Sequence, residues 1–304
     1  MNGDHVTGAG EGGGLPVSEA RRKPGPTASP GARAVLALGL VLGWASLGRL
    51  LLVDGLPHAP WGLDGLPMNG AVAATATVVF VLALGAFLIE RRPDLAYDAP
   101  LATRGGTGEG THVSLFAPQD LGAIGLVALF ALGTTAMEWQ SAPGMGINGA
   151  TTLPGATLLA WWIARRMRND GVEAACGVVG ACYALAAMSK VYTSGFAWAS
   201  AGNIALQIAT QAWLAPEPLR ALRLAVASLP ELCSFVGIAT LFIEGGAILF
   251  VLPRARLPMA ALIVAMHLGI SALMGLHHYD WMFTALGWAV LGGRVERAGQ
   301  RRAD

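Results

Sequence analysis

Runs of apolar residues recur along this chain. Each is close to the roughly 20 residues that a helix needs to cross the ~30 Å hydrocarbon core of a bilayer. A chain built this way must satisfy its backbone polar groups internally wherever lipid surrounds it. The expected fold class is therefore all-α: a polytopic integral membrane helix bundle. Runs near 34–53, 70–90, 120–138, 149–165, 171–189, 232–253, 258–275 and 279–293 predict about eight transmembrane helices. Charged residues are only 13% of the 304, hydrophobic residues are 54%, and the mean hydropathy is +0.54. Soluble domains carry about 25% charged residues. A soluble enzyme, a nucleic-acid-binding module and a disordered regulator are excluded, and the partner that composition does imply is the lipid bilayer.

Three regions follow. Residues 1–32 are rich in Gly, Pro and Ser and include Arg21, Arg22 and Lys23, which reads as a disordered cytoplasmic tail. Residues 33–293 form the transmembrane domain, and 294–304 a basic cytoplasmic tail. Between the fifth and sixth runs, 196–229 contains Asn203, Gln207, Gln211, Glu217, Arg220 and Arg223 and reads as amphipathic helices lying at the interface or re-entering it. With eight spans and a cytoplasmic N-terminus, only Arg49, Lys190, Arg220 and Arg223 of the 20 basic residues fall outside. Counting 196–213 as a ninth span would send the basic C-terminus outward. The reading is thus a plasma-membrane protein with both termini cytoplasmic.

Polar residues inside such spans mark candidate sites, because they are costly to place there. Glu244 falls near the middle of the sixth run and His267 at similar depth in the seventh. On consecutive antiparallel helices the two can share a hydrogen bond; each can equally be a structural contact between helices. Lys190 ends the fifth run, in Ser-Lys-Val-Tyr-Thr-Ser-Gly-Phe-Ala-Trp. It reads either as an anchor reaching the interface beside Tyr192 and Trp198, or as a partly desolvated general base. His277, His278 and Asp280 crowd the turn before the eighth run, as solvated turn residues or as groups at the mouth of a pocket. The first outer loop, with Asp54, His58, Trp61 and Asp64, could roof the same pocket. Six histidines do not supply the boxes of a di-iron membrane enzyme, so no metal is expected. Cys176, Cys182 and Cys233 form no C-x-x-C pair, which argues against a thiol relay.

Two stretches carry a family resemblance. The first is Ala-Met-Ser-Lys190-Val-Tyr-Thr-Ser-Gly-Phe-Ala-Trp198-Ala-Ser-Ala-Gly. The second runs from Thr-Leu-Phe-Ile-Glu244-Gly-Gly through Arg254 and Arg256 to Met266-His267. Together they resemble the horizontally transferred transmembrane (HTTM) domain, the membrane part of vitamin K-dependent gamma-carboxylase. The resemblance spans roughly 33–293, with recognisable motifs in 185–290. It implies that Lys190 is the base that deprotonates a reduced quinone, and that His267 is the histidine of the later helix, with Glu244 in the helix before it. It implies a lyase-type reaction with O2 and CO2 as co-substrates, on a lipophilic or peptide substrate, at a site on the lumenal side, equivalent to a bacterial exterior. The resemblance does not take in the lumenal region with which the animal carboxylase helps bind its substrate's propeptide. In the leading reading Lys190, His267 and Glu244 are catalytic, with Glu244 orienting His267. Trp198, Tyr192, His277, His278 and Asp280 bind substrate. The competing reading is non-enzymatic: a transporter, or a membrane partner in peptide or natural-product maturation.

Overall fold

A computed structural model describes residues 30–48, 70–89, 118–140, 152–167 and 169–300. Within them the chain is helical, with no strand among the described residues. The helices are α1 (Pro30–Gly48), α2 (Gly70–Leu88), α3 (Pro118–Gln140), α4 (Thr152–Arg166), α5 (Gly171–Ser194), α6 (Ala201–Ala212), α7 (Glu217–Ala227), α8 (Pro230–Gly246), α9 (Arg256–Met274) and α10 (Tyr279–Gln300). Each of the eight apolar runs contains a helix, and 196–229 contains two short ones. Three stretches are long and apolar enough to cross a membrane: Gly171–Ala199, Pro230–Val251 and Pro253–Met274. Large apolar side chains on their outer faces, such as Leu185, Met188, Phe235 and Phe242, are exposed, as lipid-facing residues are.

Boundaries depart from the expectation where local chemistry decides them. α1 starts at Pro30, inside the expected tail, and α10 continues to Gln300, through most of the expected C-terminal tail. α5 begins after Asp170, whose carboxylate accepts from Val172 N (2.8 Å) and Glu173 N (3.2 Å), an N-cap that anchors the first turn. It runs to Ser194, one turn past the expected end, and stops where Gly195 takes φ +58°. α8 starts on Pro230, whose missing N–H costs nothing at the first helical position. The expected outer loop with Asp54, His58, Trp61 and Asp64 lies outside the described residues.

Two apolar clusters hold the bundle. The larger joins α1–α5, the 3-10 segment Ala247–Val251, α9 and α10 through residues such as Leu40, Phe130, Val179, Phe250, Ile263 and Trp288. The smaller packs Ile204 and Ile208 of α6 against Cys233 of α8 and Met274 of α9. α8 gives way after Gly246 to a 3-10 segment, Ala247–Val251, which crosses α5 at Gly180. A Cβ on Gly180 would lie 2.7 Å from the Ala247 carbonyl oxygen, so only glycine allows this crossing. At this end of α5 the fully buried Arg256 donates to the Phe250 carbonyl (3.0 Å) and pairs with Glu173.

Candidate functional site

Helical periodicity puts the chemistry on three buried stripes. On α5 the stripe runs Cys176, Val179, Tyr183 and Ala187, and Lys190 follows at the same spacing. On α8 it is Cys233, Gly237, Thr240 and Glu244, and on α9 it is Ile263, Met266, His267, Ser271 and Met274. These stripes border a cavity of about 290 Å³. Its polar lining is Lys190, Glu244, His267, His278, Gln207 and Thr240. Tyr183, Trp198 and Trp281 supply aromatic faces, and Ile270, Met274 and Leu276 lie among its apolar walls.

The pairing inside the cavity differs from the expectation. Glu244 does not meet His267; both of its oxygens accept from the Lys190 ammonium. The reason is rotational. Glu244 continues the α8 stripe through Thr240, whereas the expected pairing rested on matching depth, which carries no information on which way a helix face turns. Lys190 is half-buried, and its ammonium also stands 4.8 Å from the centre of the Trp198 ring. Trp198 lies in the 3-10 turn Gly195–Ala199, which Asn203 Nδ2 secures by donating to the Trp198 carbonyl (2.6 Å). His267, 5% exposed, shares a 2.7 Å hydrogen bond through Nε2 with the Tyr183 hydroxyl, 84 positions away in sequence.

The other expected residues divide. Trp198 and His278 line the cavity. Tyr192 does not: it is 92% exposed on the far side of α5's last turn. His277 is exposed, shares a 2.6 Å hydrogen bond with Ser271 Oγ and stacks on Tyr279. Asp280 is buried in the first turn of α10 but is not among the lining residues. Burial, then Lys190 and His277, push the His278 imidazole below its ordinary pKa in the loop between α9 and α10.

That loop is fastened from above. α9 ends at Gly275 (φ +67°), the left-handed cap that lets the chain turn back. Arg223 of α7, 4% exposed, donates Nε to the Ala272 carbonyl (2.8 Å), one terminal nitrogen to Ser271 O (3.4 Å) and the other to Gln211 O (2.8 Å). One guanidinium thereby satisfies end carbonyls of both α9 and α6. Tyr183, Gln207 and Arg223 were not expected at the site. Tyr183 alone left a signal, seven positions before Lys190 on the same face. Among the described residues no group of three or more His, Cys, Asp or Glu is placed to hold a metal ion, and the three cysteines are free.

Compared with known proteins, the chain matches no family model, no curated protein and no solved structure.

Proposed function

We propose that this chain is a membrane-integral enzyme that carries out base-initiated chemistry on a lipophilic or membrane-presented substrate, as its resemblance to the HTTM domain of vitamin K-dependent gamma-carboxylase implies. One observation carries the reading: Lys190 and Glu244 are joined inside a cavity that His267 also lines. In this account the chain spans the plasma membrane about eight times, keeps both termini in the cytoplasm and opens its site toward the exterior.

Lys190 is the base. A protonated amine cannot abstract a proton, so its own proton must first pass to a carboxylate, and Glu244 is bonded to it through both oxygens. His267, held by Tyr183, positions the substrate or stabilises a developing oxyanion. The aromatic faces of Tyr183, Trp198 and Trp281 suit a flat ring. A reduced quinone, when bound, would supply an acidic hydroxyl and electrons for O2, with CO2 as the further co-substrate that the resemblance implies.

The test uses protein in nanodiscs with reduced menaquinone or vitamin K hydroquinone, following oxygen uptake and epoxide by mass spectrometry. Lys190→Ala is expected to lower turnover at least ~100-fold, as loss of a general base does, while the protein stays folded. Turnover at the wild-type rate in Lys190→Ala would end the base assignment. One observation favours the non-enzymatic reading: α8 gives way to a 3-10 segment after Gly246, two residues past Glu244, and helices are often interrupted at transporter binding sites. In proteoliposomes that reading predicts Glu244-dependent accumulation of a solute that emerges chemically unchanged.

A further inference from the structure

The polarity of α7 is inverted. The one residue of this helix that is buried outright is Arg223, whose hydrogen bonds end on main-chain carbonyls of α6 and α9. Between Glu217 and Ser228 every exposed residue is apolar: Pro218, Ala221, Leu222, Leu224 and Ala225. Ala221 and Ala225 lie one turn apart, on the side of the helix away from Arg223. A helix that meets water buries its apolar stripe and turns its charges outward. A helix that meets lipid does the reverse, with its costly charge facing the protein interior.

Two further observations say what covers the outward face. Exposed apolar side chains do not end with α7. Leu229 and Leu232 follow in the chain, and Phe235, Ile238 and Phe242 continue at helical spacing along α8. That helix belongs to Pro230–Val251, a stretch long and apolar enough to cross a membrane. The start of α7, by contrast, has a polar border. Arg220 pairs with Glu217 at 3.2 Å and stands 4.3 Å from the centre of the exposed Trp213 ring. Tryptophan and arginine together at the edge of an apolar face mark the level of lipid headgroups. The 11 residues of α7 reach about 16 Å, roughly half of a bilayer's hydrocarbon core, so this helix cannot cross.

We propose that α7 is seated in the hydrocarbon of the leaflet at the Lys190 end of α5. Its outward face packs on lipid acyl chains, and the corner formed by Trp213, Glu217 and Arg220 sits among the headgroups. The inference rests on the reading of α8 as a membrane span and on neither the catalytic nor the transport account. It bears on the cavity through Arg223, which ties α7 to the ends of α6 and α9. Those two helices carry Gln207, His267, Ile270 and Met274 of the cavity wall, so lipid contact at α7 is contact with the cavity's frame.

The test places spin labels on full-length protein in liposomes through Leu222→Cys, Ala225→Cys, Glu217→Cys and Phe242→Cys, each made singly. All four positions are exposed, so the label displaces no core contact. Power saturation then compares access by oxygen, which concentrates in hydrocarbon, with access by a nickel chelate, which stays in water. Labelled wild type supplies the background from the native cysteines. The oxygen-to-nickel ratio at Leu222→Cys and Ala225→Cys is expected to be lipid-like, as at Phe242→Cys. It should exceed the ratio at Glu217→Cys about tenfold, because hydrocarbon excludes polar solutes. Water-like ratios at Leu222→Cys and Ala225→Cys beside a lipid-like Phe242→Cys would overturn the seating of α7 and leave α8 as a span. A water-like Phe242→Cys would remove both. Low access by both reagents at Ala225→Cys would show protein on this face, from a second copy or another segment of this chain, and would also overturn the proposal.

Discussion

Arg223 donates three hydrogen bonds to main-chain carbonyls at the ends of α6 and α9, from a position almost sealed from solvent. Removing it leaves the Ala272 carbonyl without its donor, at about 1–3 kcal/mol for a buried group, while Ser271 O keeps Gly275 N (3.1 Å) and Gln211 O keeps Leu214 N (3.3 Å). Arg223→Met is therefore expected to lower stability by about 1–3 kcal/mol, seen as a drop in melting temperature in detergent or nanodiscs; an unchanged melt would mean that water replaces the guanidinium. His278 gives a pH effect of defined sign. Its pKa is lowered in the folded protein, so the unfolded chain binds the proton more readily. The stability it contributes is present above its ordinary value near 6.5 and is lost as pH falls through the lower folded value. Melting curves between pH 7.5 and 5 should show the wild type losing more stability than His278→Asn, and parallel curves would remove the effect. At this scale the sequence showed which residues were out of place in a membrane: Lys190, Glu244 and His267 all border the cavity. Their partners were hidden, because Lys190 with Glu244 and Tyr183 with His267 join helices 54 and 84 positions apart.

Elements were more legible than contacts, since hydropathy and caps act locally. Apolar runs located a helix in every expected place, and the polar 196–229 segment separated into α6 and α7. What the runs did not show was that the sixth is not one straight helix. After Gly246, α8 passes into the 3-10 segment that crosses α5 at Gly180. A 3-10 segment rises faster per residue and turns its faces differently, so depth and direction counted along an ideal helix misplace the residues around it. Gly180→Val tests the crossing. Its side chain would press on the Ala247 carbonyl and the Phe250 side chain, and a backbone oxygen cannot be repacked. The expected loss is about 1–3 kcal/mol or more, with any quinol oxidation falling too as Glu244 moves off Lys190. Wild-type stability in Gly180→Val would show that α5 and α8 are not held this closely.

For the whole molecule, the account has a helical bundle in a bilayer with its cavity toward the exterior. The uneven spread of basic residues motivates this orientation, and Tyr192 offers a direct check because it is exposed two residues beyond the cavity's lysine, near the same end of α5. Tyr192→Cys should react with a membrane-impermeant maleimide added to intact cells, over a low background, as Cys176 and Cys233 are buried and Cys182 is half-buried. Labelling only after permeabilisation would place the cavity on the cytoplasmic side. The central claim is that Lys190 and Glu244 act as one proton-handling unit within that cavity. Its most direct test is quinol-dependent oxygen uptake by the wild type, Lys190→Ala, Glu244→Gln and the double variant, side by side in nanodiscs. Residues that act as a unit lose activity together rather than additively. The account predicts uptake by the wild type and the same low floor in both single variants and in the double. A double variant whose loss is the product of the two single losses, or a wild type that consumes no oxygen, would contradict it.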